Sequence, residues 1–593
     1  MKNVYLFQPQ YAVEFRKEKN YWLPYSVGCL WSYAQQFSDI ADTYELKDLI
    51  YLRSPISEVL KSLDNPTVCG FSCYVWNEQY CLELAKQIKH HWPNCVIVFG
   101  GAQVSQRTLQ YKFIDSIVLS EGEEAFVDIL RTVAINQPVK QIYQRTRLLN
   151  LDIPSPYTTG VFDKIVSENP NAIWAMTLET NRGCPYACTF CDWGGTTYSK
   201  IKQFPLDKIQ QELQWTKTHR VAYIFGADAN FGIFKERDLE IARMMRLAAD
   251  NSMIETINLQ YAKNSTEIVF EMAKILGPYN RGVTVSVQSM NDPTLDAIKR
   301  KNMNINNIGH LLELSKQYNI NTYTEVILGL PLETLESWIN GLIQLLDLGQ
   351  HQSIDIWFAQ ILENSEMASI EYRKKYGIET VVVEDYMNLE QSQDSIKETL
   401  EIVSATDTMS TDDIVNGYLY AWMIIHFHIT GYSQIIAKYA NNVHDIGYRK
   451  YYDKFLSLIK EDKLFKDHYL QMKTTINTYL TEGKLDNGQA GGHALHTASY
   501  KFIYENKEHA FDLAERTLLS LTNCPPELKI LQSMFIIDTS ESYPITLETQ
   551  YNVETGDIKR TIYTVSPKSN EPITDFYTMR RKGILKNLIE ISC

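Results

Sequence analysis

The chain has 593 residues, 45% hydrophobic and 22% charged, a composition that excludes a disordered, collagen-like or low-complexity protein and, at ~150 residues per domain, points to roughly two to four folded units. Fifty-seven basic against seventy-one acidic residues leave a net charge of −14, which argues against a protein that coats a phosphate backbone, so nucleic acid is not an expected partner. The richest apolar stretch, residues 418–432, is broken by His426, His428 and Gly431; it reads as a buried helix, and no membrane partner is expected.

The first apolar run, residues 4–7, is too short for a secretory signal and reads as a strand. Up to about Asn150 the pattern alternates strands at 4–7, 68–73, 96–99 and 114–119 with helices at 78–91 and 123–135. Alternation of this kind builds a parallel, doubly wound α/β sheet whose ligands sit beyond the carboxyl ends of the strands. The tips that matter are therefore residues 72–77, 100–102 and 121–123, all containing small or polar side chains. A Pro-containing stretch at 151–157 marks a linker. Six further strands, at 175–179, 222–225, 256–260, 282–288, 322–328 and 355–360, alternate with helices at 206–218, 239–249 and 336–346, the pattern of a full or partial α/β barrel with its chemistry at the carboxyl-end loops. From residue 385 to about 521 helical patterns dominate, followed by a β-like tail at 543–565. The expected units are 1–150, 151–384 and 385–593, the last capping the barrel by position alone.

Ten cysteines are too sparse for a disulfide scaffold, and Cys184, Cys188 and Cys191 crowd into one loop, the usage of a metal-binding protein in a reducing, cytoplasmic compartment. The loop follows the first barrel strand directly. A structural zinc site wants four closed ligands, whereas three thiolates on a cubane leave one iron open for chemistry; a structural site completed by a distant His or Cys is the competing reading.

The spacing CxxxCxxC, with Phe190 before the last cysteine, resembles the radical S-adenosylmethionine superfamily. The resemblance implies that Cys184, Cys188 and Cys191 hold a 4Fe-4S cluster whose open iron binds S-adenosylmethionine, and that an external electron donor such as flavodoxin or ferredoxin reduces it. Further along, Gly226 and Asp228, then Ser286 and Gln288, then Glu325, occupy strand ends where that family meets S-adenosylmethionine; Phe190 joins them. Arg300 is read as a solvated helix end, with pairing to a carboxylate as the alternative.

Within residues 1–150, Leu23 to Gly28, Gly70 to Tyr74, Phe99 to Ala102 and Ser120 to Glu124 match, in order, the recurring pieces of a cobalamin-binding domain. The resemblance as a whole is to cobalamin-dependent radical S-adenosylmethionine enzymes, and it covers about residues 1–380. It implies that Pro24, Ser72, Tyr74, Trp76, Asn77, Gly100, Gly101, Ala102, Glu121, Gly122 and Glu123 line the cobalamin site. Small residues suit that role because a bulky nucleotide tail needs close backbone approach. The DxHxxG motif is absent, so cobalt is expected to lack a histidine below it, with Tyr74 or Trp76 crowding that face.

The function implied is methyl transfer from methylcobalamin to an unactivated carbon of a small-molecule or natural-product substrate, by way of a 5'-deoxyadenosyl radical that removes a substrate hydrogen. A cyclase or ring-rearranging enzyme with the same cofactors is the alternative. A methylthiotransferase would need three more aligned cysteines, which Cys29, Cys69, Cys73, Cys81 and Cys95 do not supply as a set; a non-catalytic iron-sulfur sensor would not need the cofactor-like loops. His426, His428, His493 and His496 lack a third ligand and read as structural, and Cys593 as a frayed terminus.

Overall fold

Strands buried on both faces build the first sheet, and the computed structural model orders its six parallel members as Tyr44–Leu52, Lys2–Gln10, Pro66–Ser72, Val96–Gly100, Ser116–Leu119 and Ile142–Gln144. The structure describes residues 1–593 apart from 12, 16–17, 145–147, 194–199, 263–266, 302–304, 386–395, 485–491, 534–544, 559–560, 568–588 and 593. Alternate residues of the first strand face opposite cores: Val4 and Leu6 pack with the helices Tyr25–Ala34 and Glu123–Ala134, while Tyr5 and Phe7 pack with Glu78–His91. The strand order reverses between Lys2–Gln10 and Pro66–Ser72, which places the crevice of a doubly wound sheet beyond their carboxyl ends.

The barrel strands Ile173–Leu178, Val221–Phe231, Thr256–Tyr261, Val283–Thr284, Thr322–Leu328 and Ile354–Phe358 follow in chain order in two parallel groups of three. A bridge between Ile257 and Asn280 joins the groups. The fourth strand, expected over 282–288, keeps its ladder only at Val283–Thr284 and touches the fifth again at Gln288; Gln288 stands at φ +63°, a left-handed conformation that breaks an extended strand. Lumen-facing positions such as Glu179, Phe225, Ser286, Glu325 and Trp357 are half-buried, while Leu178, Ile224, Val285, Val326 and Phe358 between them lie buried under helices. The barrel is therefore open inside.

One segment of the first 150 residues belongs to this second sheet. Between its first strand and helix Tyr25–Ala34 the chain leaves the N-terminal sheet, and Glu18–Trp22 pairs parallel with Ile173–Leu178, with Val13–Phe15 antiparallel outside it. Ala175, opposite Trp22, is small enough for the Trp22 and Tyr223 rings to meet edge to face across it, 5.6 Å apart.

Beyond the barrel, the hairpin Glu379–Glu384/Thr399–Ala405 continues its edge through Ile361 N to Glu401 O and Val403 N to Ala359 O, both 2.8 Å. The helices that follow share one core with the barrel's outer face: Trp338, Leu342 and Phe358 pack with Tyr418, Leu419 and Trp422, and Trp338 Nε1 donates to the Gly417 carbonyl at 3.0 Å. Tyr418, Tyr420 and Trp422, spaced as in a strand, lie in helix Thr411–Met423; from Gly417 onward every residue is buried, so this half of the helix has no polar face to reveal its period. The tail holds the strands Ile545–Thr549 and Thr561–Pro567, and Cys593 lies outside the described residues. No described helix is long and apolar enough to cross a membrane.

Candidate cofactor sites at the facing strand ends

The cysteine loop is built on a two-residue ladder, Asn181–Arg182 against Lys202–Gln203. Gly183, at φ +114°, turns the chain into the loop in a region open to glycine. Asp228, at the tip of the second strand and 2% exposed, clamps the loop's base. Its carboxylate accepts from Thr180 N (2.7 Å), Asn181 N (3.0 Å), Asn181 Nδ2 (2.9 Å) and the Thr180 hydroxyl. Burial pushes this carboxyl up to about 7, against the pull of those donors. Thr189 N donates to Ile298 O (3.1 Å), Thr189 O accepts from Met367 N (2.8 Å), and Phe190 packs on the apolar cluster of Ile298, Leu330 and Met367.

Cys184 and Cys188 are buried and Cys191 half-buried. Asn230 Nδ2 lies 3.3 Å from Cys184 Sγ. Arg300, expected at a solvated helix end, is instead 4% exposed and hydrogen-bonds Cys188, because the turn after helix Asp292–Ala297 directs it inward. Donors beside the sulfurs are the outer support that metal-ligating side chains commonly have. Among the described residues no three His, Cys, Asp or Glu side chains converge on one ion position; thiolates at separate corners of a cubane need not converge. The donor set fits a cluster.

On the opposite wall Ser286 Oγ donates to Glu325 Oε2 at 2.9 Å, and Gln288 N to Glu325 O at 3.0 Å, so Ser286, Gln288 and Glu325 are brought together. Burial raises the Glu325 carboxyl. Gly226 packs against Leu259, whose Cδ2 would lie 2.6 Å from an added Cβ.

The tips of the first sheet form a shelf. Asn77, fully buried, ties its loop: Nδ2 donates to the Pro9 and Ser72 carbonyls (both 3.1 Å) and Oδ1 accepts from Tyr74 N (2.8 Å). Tyr74 and Trp76 stack flat, 4.4 Å apart and 4° from parallel, and Tyr74 shares a 2.6 Å hydrogen bond with Ser26. Pro24 leads into the helix that holds Ser26, whose N–H, 3.0 Å from Gln8 Oε1, is capped by the first strand's tip. Gly101 (φ +104°) lets residues 100–103 close on Cys73, and Gly100 and Ala102 border open space. Gly122 packs against Leu30, Glu121 accepts from Leu148 N (2.6 Å) and Ala102 O from Asn364 Nδ2 (2.8 Å). The Trp76 indole N–H is buried with no acceptor among the described residues. An open glycine edge, a flat aromatic pair and an unused indole donor fit a large planar cofactor.

A buried bridge joins the two sites. Arg182, two residues before Cys184, pairs with Glu123 of the shelf (2.7 Å) and with Glu179 of the first barrel strand (2.9 Å), which also accepts from Tyr25 OH (3.1 Å). The shelf thus faces the barrel mouth. Gln8, Glu179, Arg182 and Asn230 are functional-site residues that sequence reasoning missed, although each sits at a strand tip or inside the quoted loops.

The histidines lie in the helical core. His428, in a π-helical turn Ile424–Ile429, is 2.9 Å from His351 and 2.5 Å from Tyr452 OH, and burial pulls both imidazoles well below their ordinary values. His426 bonds the Trp422 carbonyl (2.9 Å) and stacks on His496; the side chain of His493 lies outside the described residues.

Comparison with known proteins agrees with this geometry. The radical SAM superfamily model matches residues 178–341. The cobalamin-dependent radical SAM methyltransferase TokK of Streptomyces tokunonensis is 33% identical over 486 residues, covering 77% of this chain and 71% of that protein. The 2-(S-pantetheinyl)-carbapenam-3-carboxylate methyltransferase of Streptantibioticus cattleyicolor is 33% identical over 494 residues, again 77% and 71%. The structure of OxsB, a cobalamin-dependent S-adenosylmethionine radical enzyme with aqua-cobalamin and S-adenosylmethionine bound, shares the fold: TM-score 0.50 at 15% identity, over 90% of this chain and 83% of that one. With a three-cysteine loop and a shelf of open strand ends turned toward each other, and two relatives at 33% identity over 77% of its length, the chain belongs to the cobalamin-dependent radical S-adenosylmethionine methyltransferases, enzymes that use a 4Fe-4S cluster, S-adenosylmethionine and cobalamin together.

Proposed function

We propose that the protein methylates an unactivated carbon of a small natural-product intermediate, and that the substrate class to test first is a carboxylate-bearing ring with a thioether arm, as in the carbapenam relative. The observation that carries this reading is the Glu123–Arg182–Glu179 bridge, which sets the shelf and the cysteine loop on one open barrel mouth. When bound, the cluster supplies the electron that cleaves S-adenosylmethionine, and cobalamin carries the methyl group.

In this reading residues 1–150 supply the cobalamin shelf, 151–384 the barrel and 385–593 the cap. Cys184, Cys188 and Cys191 hold the cluster, and Asn230 and Arg300 stabilise their charge. Ser286, Gln288 and Glu325 orient S-adenosylmethionine, with Gly226 and Phe190 shaping its surroundings, and Asp228 holds the loop's base. Ser72, Tyr74, Trp76, Gly100, Gly101, Ala102 and Gly122 face cobalamin; Pro24, Asn77, Glu121 and Glu123 fix the backbone that does. The half-buried lumen excludes bulk water from the radical, so that proximity decides its fate. A flavodoxin- or ferredoxin-like carrier supplies electrons.

The test is anaerobic incubation of the reconstituted protein with a 2-thioether-substituted carbapenam carboxylate, S-adenosylmethionine deuterated in its methyl group and a low-potential one-electron reductant such as reduced flavodoxin. A product heavier by one trideuteromethyl group, with 5'-deoxyadenosine formed alongside, is expected. 5'-Deoxyadenosine with an isomerised or cyclised product and no label would overturn methyl transfer.

A further inference from the structure

The C-terminal hairpin reaches into the first sheet at one point. Arg53 lies just beyond strand Tyr44–Leu52 and Glu398 just before strand Thr399–Ala405, 345 residues apart, yet Arg53 Nη1 and Glu398 Oε1 are 2.5 Å apart and both side chains are 1% exposed. Burying an ion pair costs desolvation that the attraction alone seldom offsets, so its partners matter.

Those partners include the loop that carries Tyr74 and Trp76 and the start of the helix that follows it, while Arg53 Nη2 also donates to the Ile396 carbonyl (2.9 Å) on the hairpin's side. Arg53 Nη1 also donates to the Trp76 carbonyl (3.2 Å), and its guanidinium lies over the rings of Tyr11 (4.6 Å) and Tyr80 (4.9 Å). Glu398 accepts from Gln79 N (2.7 Å) and Tyr80 N (3.1 Å), orphan donors in the first turn of helix Glu78–His91, where a carboxylate also meets the positive end of the helix dipole. Asn77 locks the loop from its other side. The loop's backbone is thus held at both ends, while the Trp76 indole N–H faces no protein acceptor among the described residues.

We propose that Arg53 and Glu398 are positioning residues that fix Trp76 in the cobalamin site, so that the C-terminal hairpin sets the surroundings of cobalt without touching it. This rests on the reading that residues 72–77 line the cobalamin shelf.

The test compares full-length Arg53→Met/Glu398→Leu and Trp76→Ala with the parent, using hydroxocobalamin titrated by absorbance and the electron paramagnetic resonance spectrum of the cob(II)alamin form. The double variant removes both charges together and leaves neither buried alone, at the cost of the Glu398 acceptors for Gln79 N and Tyr80 N. The expected result is a changed cob(II)alamin spectrum and cobalamin affinity lower by about tenfold in both variants, the scale seen when outer support of a metal site is removed, with iron content unchanged. Parental spectrum and affinity in the double variant, with Trp76→Ala altered, would overturn the positioning role and leave the shelf standing. Parental behaviour in both would overturn the shelf reading and the proposal with it. Should the double variant not fold, Glu398→Gln, which keeps one acceptor oxygen where the carboxylate offers two, decides by the same two outcomes.

Discussion

A methyl group added at Gly101 would sit 2.5 Å from the Cys73 carbonyl oxygen on a backbone at φ +104°, whereas one at Gly100 would meet nothing closer than Val118 Cβ at 3.6 Å. Gly101→Ala is therefore expected to lower stability by about 1–3 kcal/mol, read as a shifted urea midpoint. Gly100→Ala is expected to stay within about 0.5 kcal/mol of the parent while weakening cobalamin binding, because its new methyl enters the shelf. At Asp228, substitution by Asn turns an NH2 toward Asn181 Nδ2, a donor facing a donor. A loss of about 1–3 kcal/mol is expected, with less iron retained after reconstitution, since the base of the cysteine loop loosens. The cysteines were legible because their spacing is the chemistry. Arg300 was not: a polar side chain after a short helix reads as solvated, and only the fold turns it toward Cys188.

Helix Phe465–Glu482 begins on a buried carboxylate. Asp462 accepts from Leu464 N (3.0 Å), Phe465 N (3.1 Å), Arg516 Nη2 (2.5 Å) and His509 Nε2 (2.8 Å). Burial alone would raise this carboxyl, but Arg516, the backbone donors and His509 hold it well below the usual range. A folded-state value below the unfolded one gives stability that is full above the ordinary carboxylate value and lost as pH falls through the folded one. Asp462→Ala is expected to cost about 1–2 kcal/mol at pH 7, with the gap to the parent closing below about pH 4, as urea midpoints across pH will show. Among elements, Glu78–His91 was legible to its ends because Asn77 opens an amphipathic run. Tyr44–Leu52 was not, since it is an edge strand with Glu45, Lys47 and Asp48 partly exposed, and edge positions carry charge to resist pairing with other chains. Glu18–Trp22 escaped for a different reason: its partner strand is remote in sequence, and no local pattern records that.

The barrel's outer face and the C-terminal helices bury one another, with Trp338, Leu342 and Phe358 against Tyr418, Leu419 and Trp422. A chain ending at 384 would expose that face and the barrel's last edge. Each Å2 of apolar surface so exposed costs ~25 cal/mol, against a margin of only about 5–15 kcal/mol in most domains. Residues 1–384 alone are expected to aggregate, measured as soluble yield and elution volume against the full chain. The cap's role was inferred from position in the sequence: a helix such as Tyr448–Glu461 shows its period, with Tyr448, Tyr451, Tyr452, Phe455 and Ile459 buried, but a period marks a core face and names no function.

The strand Glu18–Trp22 also has a consequence in time. Its partner Ile173–Leu178 leaves the ribosome roughly 150 residues later, a delay of about eight to thirty seconds at ~5–20 residues per second. Through that interval the segment between the first strand and its helix is a tethered loop with unfilled backbone donors. The N-terminal sheet, to which this segment does not belong, can close without it, and the segment waits unpaired for the arrival of the first barrel strand, the one that leads into the cysteine loop.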